Sequence, residues 1–417
     1  MNARQRLLRT ATGVLMVTLL GACSANGTTA TSDTGTGALS PGASGSGAPG
    51  PSGEPIVIAH TAGMTGFMSV FDQPVDRGMQ LAIDDINAKG GVLGRPLRLV
   101  TTDNASDVGK IQSAAQQAVD QGAALVVTAC DYDMGGPAAR TANAKNVLAF
   151  SCAGSPNFGF KGVGPLSYNI SPGSASEGAL LAEYAHEKGY RRPFVLVDTS
   201  LEYSQVIGDL FIKRWQELTG QAPGKDTFAN DDASVESQVG AAKSAGADVI
   251  VVSSYPPGGA KIIAEIRTQG LTVPILGAQA FDGTYWLQTV PDLDKMTIPA
   301  AGSIYGDDSD AARNAFFKRF QQKFGEAPAS ANYPLSGYSS VQAFALAAEK
   351  AGSVETAAVQ KELDAFTDVP LLIGPTTYTA DCHIPAGRSF EMITYSAGKP
   401  TVTGSAKVAS IPGGAPC

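Results

Sequence analysis

Ser155 stands in a loop, Ala153-Gly154-Ser155, where a serine could act as a nucleophile, but acyl transfer needs a base beside it. The three histidines, His60, His186 and His383, are far apart in the chain, and none stands where it would serve Ser155. They form no HExxH and no HxH pair, and neither a P-loop nor a GxSxG turn between strand and helix occurs. Asp84 and Asp85 are consecutive on a helical stretch and therefore point apart, which reads as a solvated face rather than an acid–base couple. The glycines Gly45, Gly47 and Gly50 have GxGxxG spacing, yet no strand precedes them and no helix follows. These residues give no catalytic set, no metal site and no cofactor, so an enzyme is not expected. The polar and aromatic residues that remain suit binding.

Four cysteines follow Cys23, at 130, 152, 382 and 417, and their spacing lacks the close pairs of a zinc site. Four thiols in an oxidising compartment allow three pairings. Cys130–Cys152 is favoured, since the two stand at the ends of strands expected to be neighbours, with Cys382–Cys417 stapling the C-terminus.

The oxidising compartment follows from the N-terminus. Arg4, Arg6 and Arg9 precede a short apolar stretch, 11–20, too short to remain as a membrane span, so residues 1–22 read as a secretion signal. Leu20-Gly21-Ala22-Cys23 looks like a bacterial lipobox, in which the cysteine receives a diacylglyceryl group sufficient for stable anchoring. From 24 to 53 the chain is Ser, Thr, Gly, Ala and Pro with Asp33 as its only charge, so residues 23–54 are expected to form the anchor and a flexible tether. The net charge of −8 becomes −11 without the signal, and no basic cluster offers itself to nucleic acid.

The elements that must position the loops begin with an apolar run at 56–58. A polar loop at 61–69 and a helix with Val75, Met79, Ile83 and Ile86 on one face follow, closed by Gly90-Gly91. A second strand ends at Asp103. In such a βαβ unit the loop after the first strand lies where open α/β sheets bind ligands. Helices and strands alternate onward: helix 107–120, strand 124–128, a helix to 143, strand 147–150. After a polar stretch through Gly162, Gly164 and Pro172 come helix 174–188, strand 194–197, helix 205–218, strand 248–252, helix 259–269 and strand 273–276. Helices at 309–323, 336–350 and 355–366 and strands near 377 and at 390–395 complete the chain. Two βα series separated by a crossover imply two α/β lobes.

Gly78, Ala82, Ile86-Asn87, Gly90-Gly91-Val92, Gly94, Leu97, Leu99 and Asp103 resemble the start of the type I solute-binding proteins of ABC importers, in the Leu/Ile/Val-binding branch. Ala247-Asp248-Val249, Leu276-Gly277 and Leu372-Ile373-Gly374-Pro375 extend the resemblance across about 55–395. It implies a clamshell of two Rossmann-like lobes joined by three crossings, 55–172 plus 303–376 and 173–302 plus 377–417. A small-molecule ligand would be held between the lobes and passed to an ABC permease by a monomer anchored outside the cell membrane.

The resemblance also places site residues. Ligand carboxylates in this branch rest on hydroxyls and backbone N–H groups, which here match Ser155 and Ala153, while Tyr132 replaces a small hydroxyl residue. Phe71, Tyr203 and Tyr255 fall at aromatic positions. Gln279 stands where amino-acid binders carry a carboxylate for the ligand's ammonium, and Asp131 or Asp133 is the alternative source of that charge, unless these acids are solvated or Asp133 caps a helix. Gln279 with the aromatic cluster therefore favours a small solute without an α-ammonium, such as an amide or a carboxylated ring. Two other readings use the same residues: a sensing module that presents ligand to a signalling partner, and a secreted hydrolase using Ser155.

Overall fold

The computed structural model describes residues 51–325, 327, 328, 330 and 332–414. Cys23, nearly all of the tether and Cys417 lie outside the described residues, so the anchor and the Cys382–Cys417 pairing are not placed. Among the described residues no helix is long and apolar enough to cross a membrane.

The chain first lays down β1 (Ile56–Ala62), α1 (Ser69–Ala88), β2 (Leu97–Asp103), α2 (Ile111–Asp120), β3 (Ala123–Thr128), α3 (Tyr132–Ala144), β4 (Leu148–Ser151) and β5 (Ser167–Asn169). The five strands form a parallel sheet in the order β2-β1-β3-β4-β5. Every residue of β1 is buried, which is why it opens on the apolar run 56–59 rather than an alternation, and its polar His60 and Thr61 are buried with hydrogen-bond partners in Asp76 and Thr102.

The second sheet is built from β6 (Pro193–Asp198), β7 (Gly224–Phe228), β8 (Val249–Ser253), β9 (Ile275–Gly277) and β10 (Met296–Ala300), with α4 (Ser174–Glu187), α5 (Glu202–Thr219), α6 (Glu236–Ser244) and α7 (Gly258–Thr268). Helices α8 (Ala311–Phe324), α9 (Tyr333–Ala351) and α10 (Thr356–Leu363) then return to the first core, followed by a hairpin of β11 (Val369–Leu371) and β12 (Gly374–Thr376). Finally β13 (Phe390–Ser396) and β14 (Lys399–Ala406) add antiparallel to the second sheet, giving the order β14-β13-β10-β9-β8-β6-β7. The chain thus passes between the sheets three times, after β5, β10 and β12.

Two features fix this frame. Helices α1 and α9 cross in backbone contact: a Cβ on Gly78 would lie 2.1 Å from the Pro334 carbonyl oxygen, and one on Gly337 would lie 2.1 Å from that of Val75. Gly78 is thus a packing requirement. Between the crossings, buried Arg388 donates from Nη1 to the Ile170 carbonyl (2.6 Å), from Nη2 to Thr376 Oγ1 (2.5 Å) and from Nε to the Pro375 carbonyl (3.2 Å).

Several elements differ from the sequence expectation. Strands β5, β7, β10 and β14 and helix α6 are additional; β7 reads GKDTF and the edge strand β14 reads KPTVTGSA, neither with an apolar run to mark it. Helix α2 begins at Ile111 rather than 107 because residues 104–110 form turns through the Asn104 and Asp107 carbonyls. Asp84 and Asp85 are not merely solvated: Asp84 pairs with Lys323, and Asp85 meets Arg319 at 2.5 Å and the Tyr338 hydroxyl at 2.9 Å. These links tie α1 to α8 and α9, although such exposed pairs contribute only about 0–1 kcal/mol each.

Candidate ligand-binding site

The ends of the parallel strands of both sheets face one another across a cleft, and a cavity there is lined by Met68, Phe71, Cys130, Asp131, Leu201, Tyr203, Tyr255, Ala280 and Tyr333. Its free volume is about 20 Å³, little more than one water needs, so a solute enters only if the lobes part. Of the residues expected from sequence, Phe71, Asp131, Tyr203 and Tyr255 line it. Phe71 and Tyr255 are buried, and the Phe71 ring lies 5.3 Å from that of Tyr333, tilted by 49°.

The wall of the first lobe is held by acids and a disulfide. Asp72 on α1 is wholly buried and accepts from Gly63 N (2.8 Å) and Cys130 N (3.0 Å), fastening the loops after β1 and β3 to each other. Burial pushes its carboxyl up to about 6. The Cys130–Cys152 disulfide joins the ends of the paired strands β3 and β4. Asp131 caps α3, its carboxylate accepting from Met134 N at 3.1 Å in the extended N-cap conformation. It is 3% exposed, and burial, then the charge of Asp133, lifts it to about 7. The cap is therefore Asp131, not Asp133, and Asp131 is not a solvated loop acid.

Ser155, Ala153, Tyr132 and Gln279 do not line this cavity. The Ser155 hydroxyl donates to Glu202 Oε1 across the cleft (2.9 Å) and accepts from Asn157 N (2.9 Å). Asn157 Nδ2 also donates to Glu202 Oε1 (2.8 Å), and Glu202 N donates back to Asp133 Oδ2 (2.9 Å). A second interlobe contact runs from Asn332 Nδ2 to Asp282 Oδ2 (3.1 Å) and from Ser330 Oγ to the Asp282 carbonyl (3.0 Å). Ala153 is buried against the outer face of the first sheet. Tyr132 turns along its own helix, where Arg140 lies over its ring at 5.8 Å and donates to its hydroxyl. Gln279 is 7% exposed and its Oε1 has no hydrogen-bond partner.

Glu177, in the first turn of α4, was not singled out from sequence. Its carboxylate accepts from Gln279 N and, at 3.2–3.3 Å, from the Tyr203 hydroxyl, which in turn accepts from Ala280 N. Burial raises Glu177 to about 8 against these two donors, and burial raises Asp282 to about 7. Behind Tyr255, Asn230 Nδ2 holds both the Tyr255 carbonyl (2.9 Å) and Asp198 Oδ2 (2.7 Å). An acidic residue opening a helix is an ordinary dipole match; only the tertiary fold brings Glu177 to Gln279. Tyr333 was missed because it opens α9, some 260 residues beyond Phe71.

Residues 55–398 match the family described as periplasmic binding protein. The chain belongs to that family. Within it, the Leu/Ile/Val-binding protein BraC3 of Rhizobium johnstonii is 26% identical over 356 residues, covering 82% of this chain and 92% of that protein. Leu/Ile/Val-binding protein homolog 3 of Brucella melitensis is 24% identical over 351 residues, with the same coverage. Among solved structures, a branched-chain amino acid transporter substrate-binding protein of Streptococcus pneumoniae in complex with isoleucine has a TM-score of 0.76 at 23% identity, covering 85% of this chain and all of that one. A solute-binding protein of R. palustris in complex with benzoate has a TM-score of 0.73 at 17% identity, covering 87% and 99%. The protein is a type I periplasmic binding protein, its curated relatives are named Leu/Ile/Val-binding proteins, and this family binds solutes rather than transforming them. Among the described residues no cluster of His, Cys, Asp or Glu is placed to hold a metal ion.

Proposed function

We propose that this binding protein captures a small organic solute between its lobes and delivers it to the permease of an ABC importer. It does so as a monomer, held to the outer face of the cell membrane by a diacylglyceryl group on Cys23. The observation that carries the reading is the cavity at the facing strand ends, walled by Phe71, Tyr203, Tyr255 and Tyr333 and bridged by Glu202. Four aromatic side chains around so small a space serve packing against a solute, the usual lining of a small-molecule site. The isoleucine and benzoate bound by the two structural neighbours bracket the solutes to test, from branched-chain amino acids to amides and carboxylated rings. The Leu-Gly-Ala-Cys sequence and the tether behind it support the anchor. A thermal-shift screen tests solute capture: a ligand at a hundred times its dissociation constant adds about 2.7 kcal/mol. A panel of such solutes without any shift would overturn it. Labelling with a radioactive fatty acid, lost in Cys23→Ala, tests the anchor.

A further inference from the structure

Both groups expected to receive a ligand's carboxylate are already engaged within the chain, Ala153 N by the Ser151 hydroxyl and Ser155 by a carboxylate. The Ser155 hydroxyl and the Asn157 amide both donate to Glu202, which reaches them from the opposite lobe. The N-terminus of α3, whose unpaired N–H groups would favour an anion, is filled by Asp131. Among the described residues no Lys or Arg lines the cavity, while Asp131 does, and Glu177 stands behind the Tyr203 hydroxyl. A carboxylated solute would meet the Asp131 carboxyl without a balancing cation, in a space that screens poorly. A cationic nitrogen would instead find the Asp131 carboxylate among the rings of Phe71, Tyr203, Tyr255 and Tyr333, the pairing of acid and aromatic side chains that suits an ammonium.

We propose that the solute is an organic amine without a carboxylate, with Asp131 as its counter-ion and Glu202 as the built-in occupant of the carboxylate position. This rests on the solute-binding reading and reverses the expectation drawn from Gln279 alone: the acid missing at 279 is supplied by Asp131, with Glu177 behind it.

Three probes of one skeleton separate the possibilities by isothermal titration of the full folded protein: isoamylamine, leucine and isocaproate. Isoamylamine is expected to bind more tightly than leucine, and isocaproate not at all. Asp131→Asn should weaken isoamylamine about tenfold or more without lowering the unliganded melting temperature, because Asn caps a helix as well as Asp. Glu202→Ala, by freeing Ser155 and Asn157, should raise the affinity for leucine relative to isoamylamine. Leucine or isocaproate binding more tightly than the amine, or an amine affinity unchanged in Asp131→Asn, would overturn the assignment while leaving solute capture intact. Failure of these probes and of the whole solute panel would overturn both.

Discussion

Raising the pH should loosen this protein, and its buried acids set the scale. Asp131, Asp282 and Glu177 stand at about 7, 7 and 8, against ordinary values of 3.8, 3.8 and 4.5. The closed structure therefore holds protons that an opened or unfolded chain releases between about pH 4 and pH 8. Stability contributed by a raised carboxyl is complete below its ordinary value and is lost as pH rises through the raised one. For Glu177 alone the separation is worth about 5 kcal/mol at 1.36 kcal/mol per unit. The three together approach the whole stability of a domain, about 5–15 kcal/mol, so the lobes should part and hydrate the acids before the chain unfolds. Glu177 faces the Tyr203 hydroxyl and the Gln279 N–H, with no cation to offset its charge. Between pH 5.5 and pH 8.5 Glu177 alone should lose about 3 kcal/mol of this, the rest being gone by pH 5.5, so the melting temperature should fall by about 4 °C at roughly 2 cal/mol/K of unfolding entropy per residue. Small-angle scattering should show the radius of gyration rising over the same range, and Glu177→Gln should flatten both responses. A melting temperature that is flat or rising, with an unchanged radius, would refute the reasoning.

Other expectations follow from particular contacts. Glu202→Ala removes two hydrogen bonds across the cleft and should shift the lobes toward opening by about 1–2 kcal/mol, seen as faster amide exchange at 129–133 and 155–157. Gly78→Ala drives a methyl into the Pro334 carbonyl and should cost at least about 2 kcal/mol in denaturant unfolding, in the range of overpacked cores. A Cys130→Ala, Cys152→Ala double variant opens a 22-residue separation and should lose about 3 kcal/mol by chain entropy. Its effect should vanish when the comparison is made under reducing conditions.

The buried strands were legible because β1, β3, β6 and β8 bury nearly every residue and so read as apolar runs. Polar edges such as β7 and β14 carry no such mark, and β10 is only five residues long with a Pro inside it, a residue uncommon within sheets. In the site, Phe71, Asp131, Tyr203 and Tyr255 lie in or just after loops that follow parallel strands, and the family resemblance pointed to them at those loops. Ser155 was legible as a polar strand-end residue, yet its partner Glu202 sits 47 residues on, in the other lobe. Glu177 to Gln279 spans 102 residues, a pairing that no local pattern encodes.

Arg388 bears on how the two halves can travel. One guanidinium grips the first crossing at Ile170 and the third at Pro375 and Thr376, and it is buried where water cannot replace those acceptors. Sliding one strand past the other would strand a charge in a dry place, at a cost of several kcal/mol. The first and third crossings are therefore tied to each other and must move as one when the lobes turn. The return of Glu202 to Ser155 on closure thus depends on a residue outside the cavity between the lobes.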